Sequence, residues 1–311
     1  MQPVREKSKA HVEINLPCDR AEEIKEQVRE WWNERPCGFR ISAHPLGARS
    51  FFEEIEKQRY AQEYHIPGIV NFPAWKGRVV LEVGCGLGTD LLQFARSGAH
   101  VTGIDLTPKA IELTRERFKL YNLGATIEVG DAEHLRFPDE TFDLVYSHGV
   151  IHHTPNSQKA IDEIHRVLKP GGRAIVMLYH KHSYNYQVNI RVIRNVAFAL
   201  IRYGFPITTM SALTGIESGL LKEYERVIKG KSSWKEQDLL NNNTDGPGNP
   251  YSKVFTRSEA KEMFENFASV KTKVYWLVKR NVPLIGRYIP HPIDYVLGRL
   301  MGWSLYVFAL K

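Results

Sequence analysis

The sequence predicts an α/β protein with a doubly wound, mostly parallel sheet, and two observations support this. From Gly77 onward, short apolar runs alternate strictly with amphipathic helical stretches, as in parallel sheets covered by helices on both faces. The first run, VVLEV, leads directly into three glycines at alternate positions. Because crossover connections are right-handed, the carboxyl ends of such strands share one edge, and ligands bind there.

Composition limits the class of protein. The chain has 311 residues, is 43% hydrophobic and 25% charged, and carries a net charge of +7. Its length suits one large domain with an added lobe, or two modest domains. Its three cysteines are scattered, and no Cys/His pattern has the spacing of metal ligands, so we expect neither a disulfide framework nor a metal. The first residues are charged and lack the apolar stretch of a signal peptide, so we expect a cytoplasmic protein.

The pattern divides the chain into four regions. Residues 1–76 carry two amphipathic helical patterns and predict an N-terminal helical cap. Residues 77–180 hold the alternating strands and helices, and residues 181–256 interrupt them as a helical insertion whose start, YNYQVNIRVIRNVAFALIRYG, predicts one helix. Residues 257–311 return to a helix and two strands, the first over SVKTKVYWLV, that complete the sheet. The apolar stretches of the insertion are broken by charge and proline short of the roughly 20 residues of a membrane span, so we expect no transmembrane segment, while peripheral membrane contact stays open.

The glycine turn in VVLEVGCGLGTD differs from a dinucleotide fingerprint. Such a fingerprint needs a third glycine where this chain has Thr89, so the pattern is G-x-G-x-G. It resembles the first motif, E-x-G-x-G-x-G, of the class I S-adenosylmethionine-dependent methyltransferases. Glycine suits the turn because side chains would strike a ligand and because φ takes values closed to other residues. The resemblance implies cofactor contacts from Glu82, Gly84, Cys85, Gly86 and Gly88.

Further motifs follow in order. Asp105 ends the second strand, where an acid accepts hydrogen bonds from ribose hydroxyls. Asp131 follows the third strand, and the resemblance gives it the exocyclic amine of adenine. FDLVYSHGVIHHT resembles the fourth-strand motif, which passes beneath the methionine portion, and RVLKPGGRAIVMLY resembles the helix, turn and fifth strand after it. The resemblance adds cofactor contacts from Tyr60, Leu106, Ala132, Glu133, Ser147 and His148, with Arg59 on the helix that closes over the methionine carboxylate.

The resemblance is specific over residues 78–180 and loose over the last 50 or so. It implies a Rossmann-like seven-stranded sheet whose last strand, WSLYVFALK, is antiparallel. Within the family, the chain resembles the ubiquinone and sterol methylating enzymes with a type 11 domain. The expected cofactor is S-adenosyl-L-methionine, whereas the fold says little about the methyl acceptor.

Methyl transfer is an in-line displacement, so the protein mainly aligns the reactants and excludes water. A base is needed only for an acceptor that arrives protonated, and histidine titrates in the useful range. The candidate bases are His152, after the fourth strand, and His180, after the fifth. His152 could equally shape the cofactor pocket. The candidate acceptor contacts are Tyr184, Tyr186 and Asp245, for which helix packing and an ordinary polar turn are the alternatives.

We expect residues 181–256 and the first 60 residues to form a largely apolar chamber with a few polar anchors. Such a chamber would suit a small organic acceptor that has an apolar body, with or without an anionic group. Methylation would fall on oxygen or nitrogen. An RNA methyltransferase would need a basic domain or an Asn/Asp-Pro-Pro-aromatic motif, and SHGVIHHTPN lacks that motif, so we do not expect a nucleic-acid partner. A non-catalytic protein of the same fold is the third hypothesis, against which the intact glycine turn counts. The oligomeric state stays open.

Overall fold

A seven-stranded sheet forms the centre of the computed structural model, which describes residues 17–37, 42–214, 216–230 and 234–311. The strands are β1 Val79–Val83, β2 His100–Asp105, β3 Thr126–Val129, β4 Phe142–His148, β5 Leu168–Tyr179, β6 Ser269–Tyr275 and β7 Ser304–Leu310. Their order is β3-β2-β1-β4-β5-β7-β6; β1 to β5 are parallel, and β7 is antiparallel to both neighbours. The predicted fold class is confirmed. Residues 1–16 of the predicted cap lie outside the described residues.

Helices cover both faces of the sheet. They are α1 Cys18–Glu34, α2 Arg49–Gln62, α3 Ile66–Val70, α4 Thr89–Arg96, α5 Pro108–Leu120, α6 Ser157–Val167, α7 Asn195–Arg202, α8 Ile207–Thr214, α9 Ser218–Lys229, α10 Glu236–Thr244, α11 Arg257–Met263 and α12 His291–Met301. Neighbouring residues of the central strands belong to different cores: Val80 and Leu144 to one, Leu81 and Val145 to the other. Burial on both faces explains why these strands are apolar throughout.

The insertion begins and ends at the same point of the sheet edge. His180, directly after β5, forms a bridge with Phe255, so the chain between them is a long excursion from one position. The single helix predicted at its start is a π-helical segment, Asn185–Arg194, that runs into α7. The spacing of apolar residues does not distinguish these two helix types. No helix in the described part of the chain is both long and apolar enough to cross a membrane.

The last region differs from the prediction in two ways. The strand predicted over SVKTKVYWLV ends at Tyr275, because Trp276 has φ +68° and leaves the extended conformation. Between β6 and β7 lie two 3₁₀ turns, Lys279–Asn281 and Gly286–Tyr288, and helix α12, none of which was predicted.

Candidate active site

A cavity of about 380 Å³ lies at the carboxyl ends of the parallel strands. The loops after β1, β2, β3 and β4 form one side of it. The other side comes from α1, the insertion and the segment after β6. One end of the cavity, the glycine-loop end, is formed by Gly84, Gly86, Asp105 and Asp131. The other, the Asp245 end, is formed by His153, Tyr179 and Asp245.

The three glycines of the turn serve different purposes, although all have positive φ. A Cβ on Gly84 would lie 2.1 Å from a methyl carbon of Val150, and one on Gly88 would lie 2.6 Å from a methyl carbon of Thr114. No atom of the residues that the structure describes lies within 4 Å of the corresponding position on Gly86. Gly84 and Gly88 therefore permit close packing, and Gly86 is the glycine that leaves space for a ligand.

Asp105 fixes this turn. Its Oδ2 accepts a hydrogen bond from the Gly86 amide (3.0 Å), and its Oδ1 accepts bonds from the Thr107 amide (2.9 Å) and hydroxyl (2.8 Å). Burial raises the pKa of Asp105, against the lowering effect of these bonds. Each carboxylate oxygen can accept more than one hydrogen bond, so Asp105 can also receive a ligand hydroxyl.

Arg117 supports the turn from behind, and sequence reasoning missed it. Its guanidinium is fully buried and donates to Leu87 O (3.2 Å), Thr89 Oγ1 (2.7 Å) and Glu56 Oε2 (2.8 Å). Burial lowers its pKa. The helical stretch PKAIELTRERFKLYN contains several charges, so the sequence does not single out the one charge that points inward.

A buried ionic network lies beside the glycine loop. Asp90 accepts hydrogen bonds from Arg59 Nε (3.0 Å), Tyr60 Oη (2.8 Å) and Tyr146 Oη (2.8 Å). Arg59 also contacts His148 Nδ1 at 3.1 Å. Burial alone would raise the pKa of Asp90, but Arg59 outweighs it and lowers this pKa to about 2. Asp90 is therefore a carboxylate that holds Arg59 against the cavity wall.

The adjacent acids divide into charged and neutral ones. Burial opposes ionisation of Glu63, yet His148 and Arg59 lower its pKa to about 2. For Glu82, burial and the nearby Asp90 outweigh the opposing effect of Arg59 and raise its pKa well above the ordinary value. Burial thus disfavours a charge on this carboxyl group, which lines the cavity.

Helix α1 closes the cavity near Asp131. Lys25 Nζ lies 2.8 Å from Asp131 Oδ2 and 3.0 Å from Glu133 Oε2, while the Glu133 amide donates to Asp131 Oδ1 (2.9 Å). Burial lowers the pKa of Lys25, but the hydrogen bonds to the two acids raise it overall. For Asp131, the same bonds outweigh burial and lower the pKa. The acid predicted to face adenine is thus an ionised carboxylate already bonded to α1.

At the Asp245 end, two side chains capable of proton transfer meet. His153 Nδ1 lies 2.7 Å from Tyr251 O, which requires a proton on that nitrogen. His153 Nε2 then faces Asp245 Oδ2 at 3.3 Å without a hydrogen bond among the described residues. Tyr179 donates to Asp245 Oδ1 (2.8 Å). Burial would raise the pKa of Asp245, but His153, Tyr179 and Thr244 together lower it.

Aromatic rings enclose this pair. Trp32, from α1, meets the His153 ring edge-on at 5.5 Å between centroids, and Trp303 stacks on Tyr179 at 4.3 Å. Of the two regions predicted to form an apolar chamber, the first 60 residues supply apolar lining such as Val28 and Trp32, whereas the described part of residues 181–256 supplies the polar side chains Asn185, Thr244 and Asp245. Its apolar helix α7 packs on α9.

Most of the predicted site residues line the cavity. They are Glu82, Gly84, Cys85, Gly86, Asp105, Leu106, Asp131, Ala132, Glu133, His148 and Asp245, together with Arg59. The following predicted residues lie outside the lining: Tyr60, Gly88, Ser147, His152, His180, Tyr184 and Tyr186. Of these, Tyr60 acts on the wall through its bond to Asp90.

The predicted bases are not brought to the cavity. His152 is fully buried with its ring stacked on Tyr179 at 3.6 Å, and neither ring nitrogen has a hydrogen-bond partner among the described residues. Burial lowers its pKa well below the ordinary value. His180 is buried with Nδ1 3.1 Å from Gly302 O, and burial lowers its pKa to about 4. Both are therefore neutral groups inside the packing.

Of the predicted acceptor contacts, Asp245 lines the cavity, whereas Tyr184 and Tyr186 do not. Tyr186 donates to Glu236 (2.9 Å) away from the cavity, and Tyr184 precedes the π-helical segment. Asn185 between them is the residue that faces the cavity, where its Oδ1 accepts from Asn281 (2.7 Å). The available signal was a pair of asparagines, Asn185 and Asn189, four apart in a helical pattern.

The residues present suit the predicted cofactor and offer no metal site. No group of three or more His, Cys, Asp or Glu side chains in the described ranges is placed to hold a metal ion. The open space at Gly86 and the acids Asp105 and Asp131 on one cavity provide room and acceptors for an adenosine. The Arg59 guanidinium lines the same cavity, on the helix to which the resemblance gives the methionine carboxylate.

Comparison with known proteins identifies the class of this domain. Residues 81–176 match the model of a family described as "Methyltransferase domain". The structure resembles a solved Pyrococcus horikoshii protein (TM-score 0.51, 17% identity, 91% of this chain and 98% of that one). It also resembles the complex of the Haloferax volcanii Trm112 activator with a methyltransferase (TM-score 0.51, 16% identity, 85% and 95%). These two matches support the fold alone.

Among curated proteins, one similar protein is the sterol 4-C-methyltransferase strm-1 of Caenorhabditis elegans, 39% identical over 100 residues, or 31% of this chain and 29% of that protein. Another is the demethylmenaquinone methyltransferase of Tropheryma whipplei, 40% identical over 101 residues, or 32% and 41%. The chain thus spans less than half the length of these relatives. Residues 81–176 are a domain of the S-adenosylmethionine-dependent methyltransferase family, which confirms the predicted family and its cofactor.

Proposed function

We propose that this protein transfers the methyl group of S-adenosylmethionine to an oxygen or nitrogen of a small, partly apolar acceptor. The observation that carries the proposal is that one cavity joins the glycine-loop end to the Asp245 end. The bound cofactor supplies an electrophilic methyl carbon on a sulfonium. Asp105 and Asp131 would hold its adenosine, and Arg59 and His148 would hold its methionine portion. The protein itself would then need to align the acceptor with the cofactor, exclude water and remove one proton from the acceptor.

His153 is the proposed proton acceptor. The bond to Tyr251 O keeps a proton on Nδ1, which leaves Nε2, beside Asp245, as the nitrogen that would accept a proton in this cavity-lining residue. Nε2 would take the proton of an acceptor hydroxyl as the oxygen becomes a nucleophile, or that of an acceptor ammonium beforehand, which gives the nitrogen the lone pair it needs. The ionised Asp245, 3.3 Å away, stabilises the imidazolium that forms.

The walls at this end favour an acceptor with an apolar body. Trp32, Trp276 and Trp303 line the cavity together with Val278, and these side chains offer wide apolar surfaces. Asn185 and Asn281 provide amide groups that can orient a polar head. The acceptor is therefore proposed to be a small amphipathic molecule with one nucleophilic hydroxyl or amine.

The test has a binding arm and a transfer arm. Calorimetry should give micromolar affinity for S-adenosylhomocysteine and weaker binding of NAD. Incubation of a cell extract with the enzyme and a deuterated-methyl donor should then label a small amphipathic compound, detected by mass spectrometry. Tighter binding of NAD would contradict the cofactor, and label found only in RNA would contradict the acceptor class.

A further inference from the structure

Helix α12 presents its apolar side to solvent. Asp294 is buried, and a Cβ on Gly298 would lie 3.0 Å from the Trp276 amide nitrogen, so these two residues form the side that packs on the protein. Ile293, Val296 and Leu300 recur at helical spacing on another side, and each is at least half exposed. A surface helix of a globular protein normally has the opposite arrangement.

The loop before α12 continues this exposed apolar surface. Leu284 is 86% exposed, Ile285 is 63% exposed and Tyr288 is 68% exposed. Leu284 also has φ +63°, a conformation that a leucine adopts at an energetic cost. The cost is not offset by packing, because the side chain extends into solvent. Strain of this kind in an exposed side chain points to a role outside the folded chain.

The surface is also basic. Residues 279–300 contain four Lys or Arg and one acid, Asp294, which is buried. Arg280 and Arg287 are exposed, and the Arg287 guanidinium lies 4.7 Å from the centre of the Tyr288 ring. Exposed apolar side chains interspersed with arginine suit the interface of an anionic membrane, where the apolar groups enter the acyl boundary and the cations meet lipid phosphates.

We propose that residues 279–300 form a docking surface for an anionic lipid bilayer. A second copy of this chain would fit less well, because a twofold contact through this surface would bring two patches of the same positive charge together. The surface begins at the cavity: Trp276, Val278, Arg280 and Asn281 line it, and Leu284 follows three residues later. If the proposed function holds, an amphipathic acceptor would pass from the bilayer into the cavity at this point.

The test is sedimentation of the full chain with phosphatidylglycerol-containing vesicles and with phosphatidylcholine vesicles, without methyl donor or acceptor. We expect binding to the anionic vesicles that weakens as salt is raised. The variant Leu284→Asn/Ile285→Ser removes two exposed apolar groups, and asparagine tolerates the backbone at 284. It should lose about tenfold in vesicle affinity. Arg287→Gln should lose about fivefold.

The matched control is Val192→Ser/Val196→Ser, which removes two comparably exposed apolar side chains from the π-helical segment and α7. It should bind vesicles like the unaltered chain. Equal binding to both vesicle types, a greater loss in the control, or a dimer in light scattering that the Leu284→Asn/Ile285→Ser change dissolves would overturn the proposal. Because no turnover is measured, vesicle binding can persist even if the proposed methyl transfer fails.

Discussion

The two ends of the cavity are assembled from very different distances along the chain. At the glycine-loop end, Gly86, Asp105 and Asp131 each follow one of three consecutive strands. At the Asp245 end, His153 meets Asp245 across about ninety residues and Trp32 across about 120, and these partners come from separate elements. Topology alone therefore fixes the first end. The Asp245 end depends on how the insertion and α1 pack against the carboxyl ends of the strands. The cofactor of such a fold is therefore easier to infer from the sequence than the acceptor.

The largest effect should separate two adjacent histidines. His153→Phe and Asp245→Asn should each lower kcat about 10²- to 10³-fold, because the proton acceptor or its counter-ion is lost. His152→Phe should leave kcat nearly unchanged, since the His152 ring lies outside the cavity lining and makes ring contacts that phenylalanine can keep. The measurement is turnover of the labelled acceptor, with S-adenosylhomocysteine affinity as a check on folding. A fall in kcat for His152→Phe but not for His153→Phe would reverse the assignment.

The glycine-loop end depends on its buried ion pair. Arg59→Gln should lower the free energy of unfolding by about 3 kcal/mol, because Asp90 would remain buried without its cation. Urea denaturation measures this directly. Arg20→Gln removes an exposed arginine paired with Glu23 and should change stability very little. Equal stability of the two variants would mean that Asp90 is neutral or solvated, contrary to the lowering of its pKa by Arg59.

The next largest effect is expected at Asp105, the proposed contact of the cofactor's ribose. Asp105→Asn keeps the shape of the side chain but removes its charge, so S-adenosylhomocysteine binding should weaken by about 1.5–3 kcal/mol. Asp143→Asn is the matched change at the opposite end of the sheet, where Asp143 accepts a bond from the Val79 amide. Calorimetry should find its affinity unchanged. An unaltered affinity for Asp105→Asn would move the ribose site elsewhere.

The same comparison explains what could be read from the sequence. Alternating strands and helices predict the sheet, and a polar residue at a strand's end must reach the shared edge, so Asp105 and Asp131 were predictable. Lys25 and Arg117 were not, because nothing in a charged helix indicates which charge turns inward. The sequence did not favour His153 over His152. Which of these two adjacent rings faces the cavity depends on the 3₁₀ turn Ile151–His153, which the sequence pattern does not predict. Helix α12 was missed because its apolar stripe does not pack on the core.

Acid should weaken the fold through a buried histidine. Burial lowers the pKa of His65 to about 4, whereas the unfolded chain should titrate near 6.5. Above about pH 6.5, His65 is neutral in both the folded and the unfolded chain, so its titration takes nothing from the free energy of unfolding. As the pH falls from about 6.5 to about 4, the unfolded state gains a proton that the folded state resists, so stability should drop by about 1 kcal/mol per pH unit. Urea denaturation between pH 7.5 and 5 measures the slope, and His65→Gln should make it shallower; an identical slope would show that other groups cause it.

The smallest predicted effect concerns Lys25, whose helix α1 contacts both ends of the cavity. Helix α1 supplies both Trp32, beside His153, and Lys25, beside Asp131, so the bond from Lys25 to the acids should also hold the acceptor wall in place. Lys25→Met removes a partly buried ion pair, and we expect amide hydrogen exchange in α1 to become about fivefold faster, the equivalent of about 1 kcal/mol of local stability. Lys109→Met removes a more exposed pair with Glu112 on α5 and should leave exchange in both helices unchanged. If α1 exchanges equally in the two variants, its apolar contacts alone keep it on the cavity, and the two ends are not coupled through Lys25.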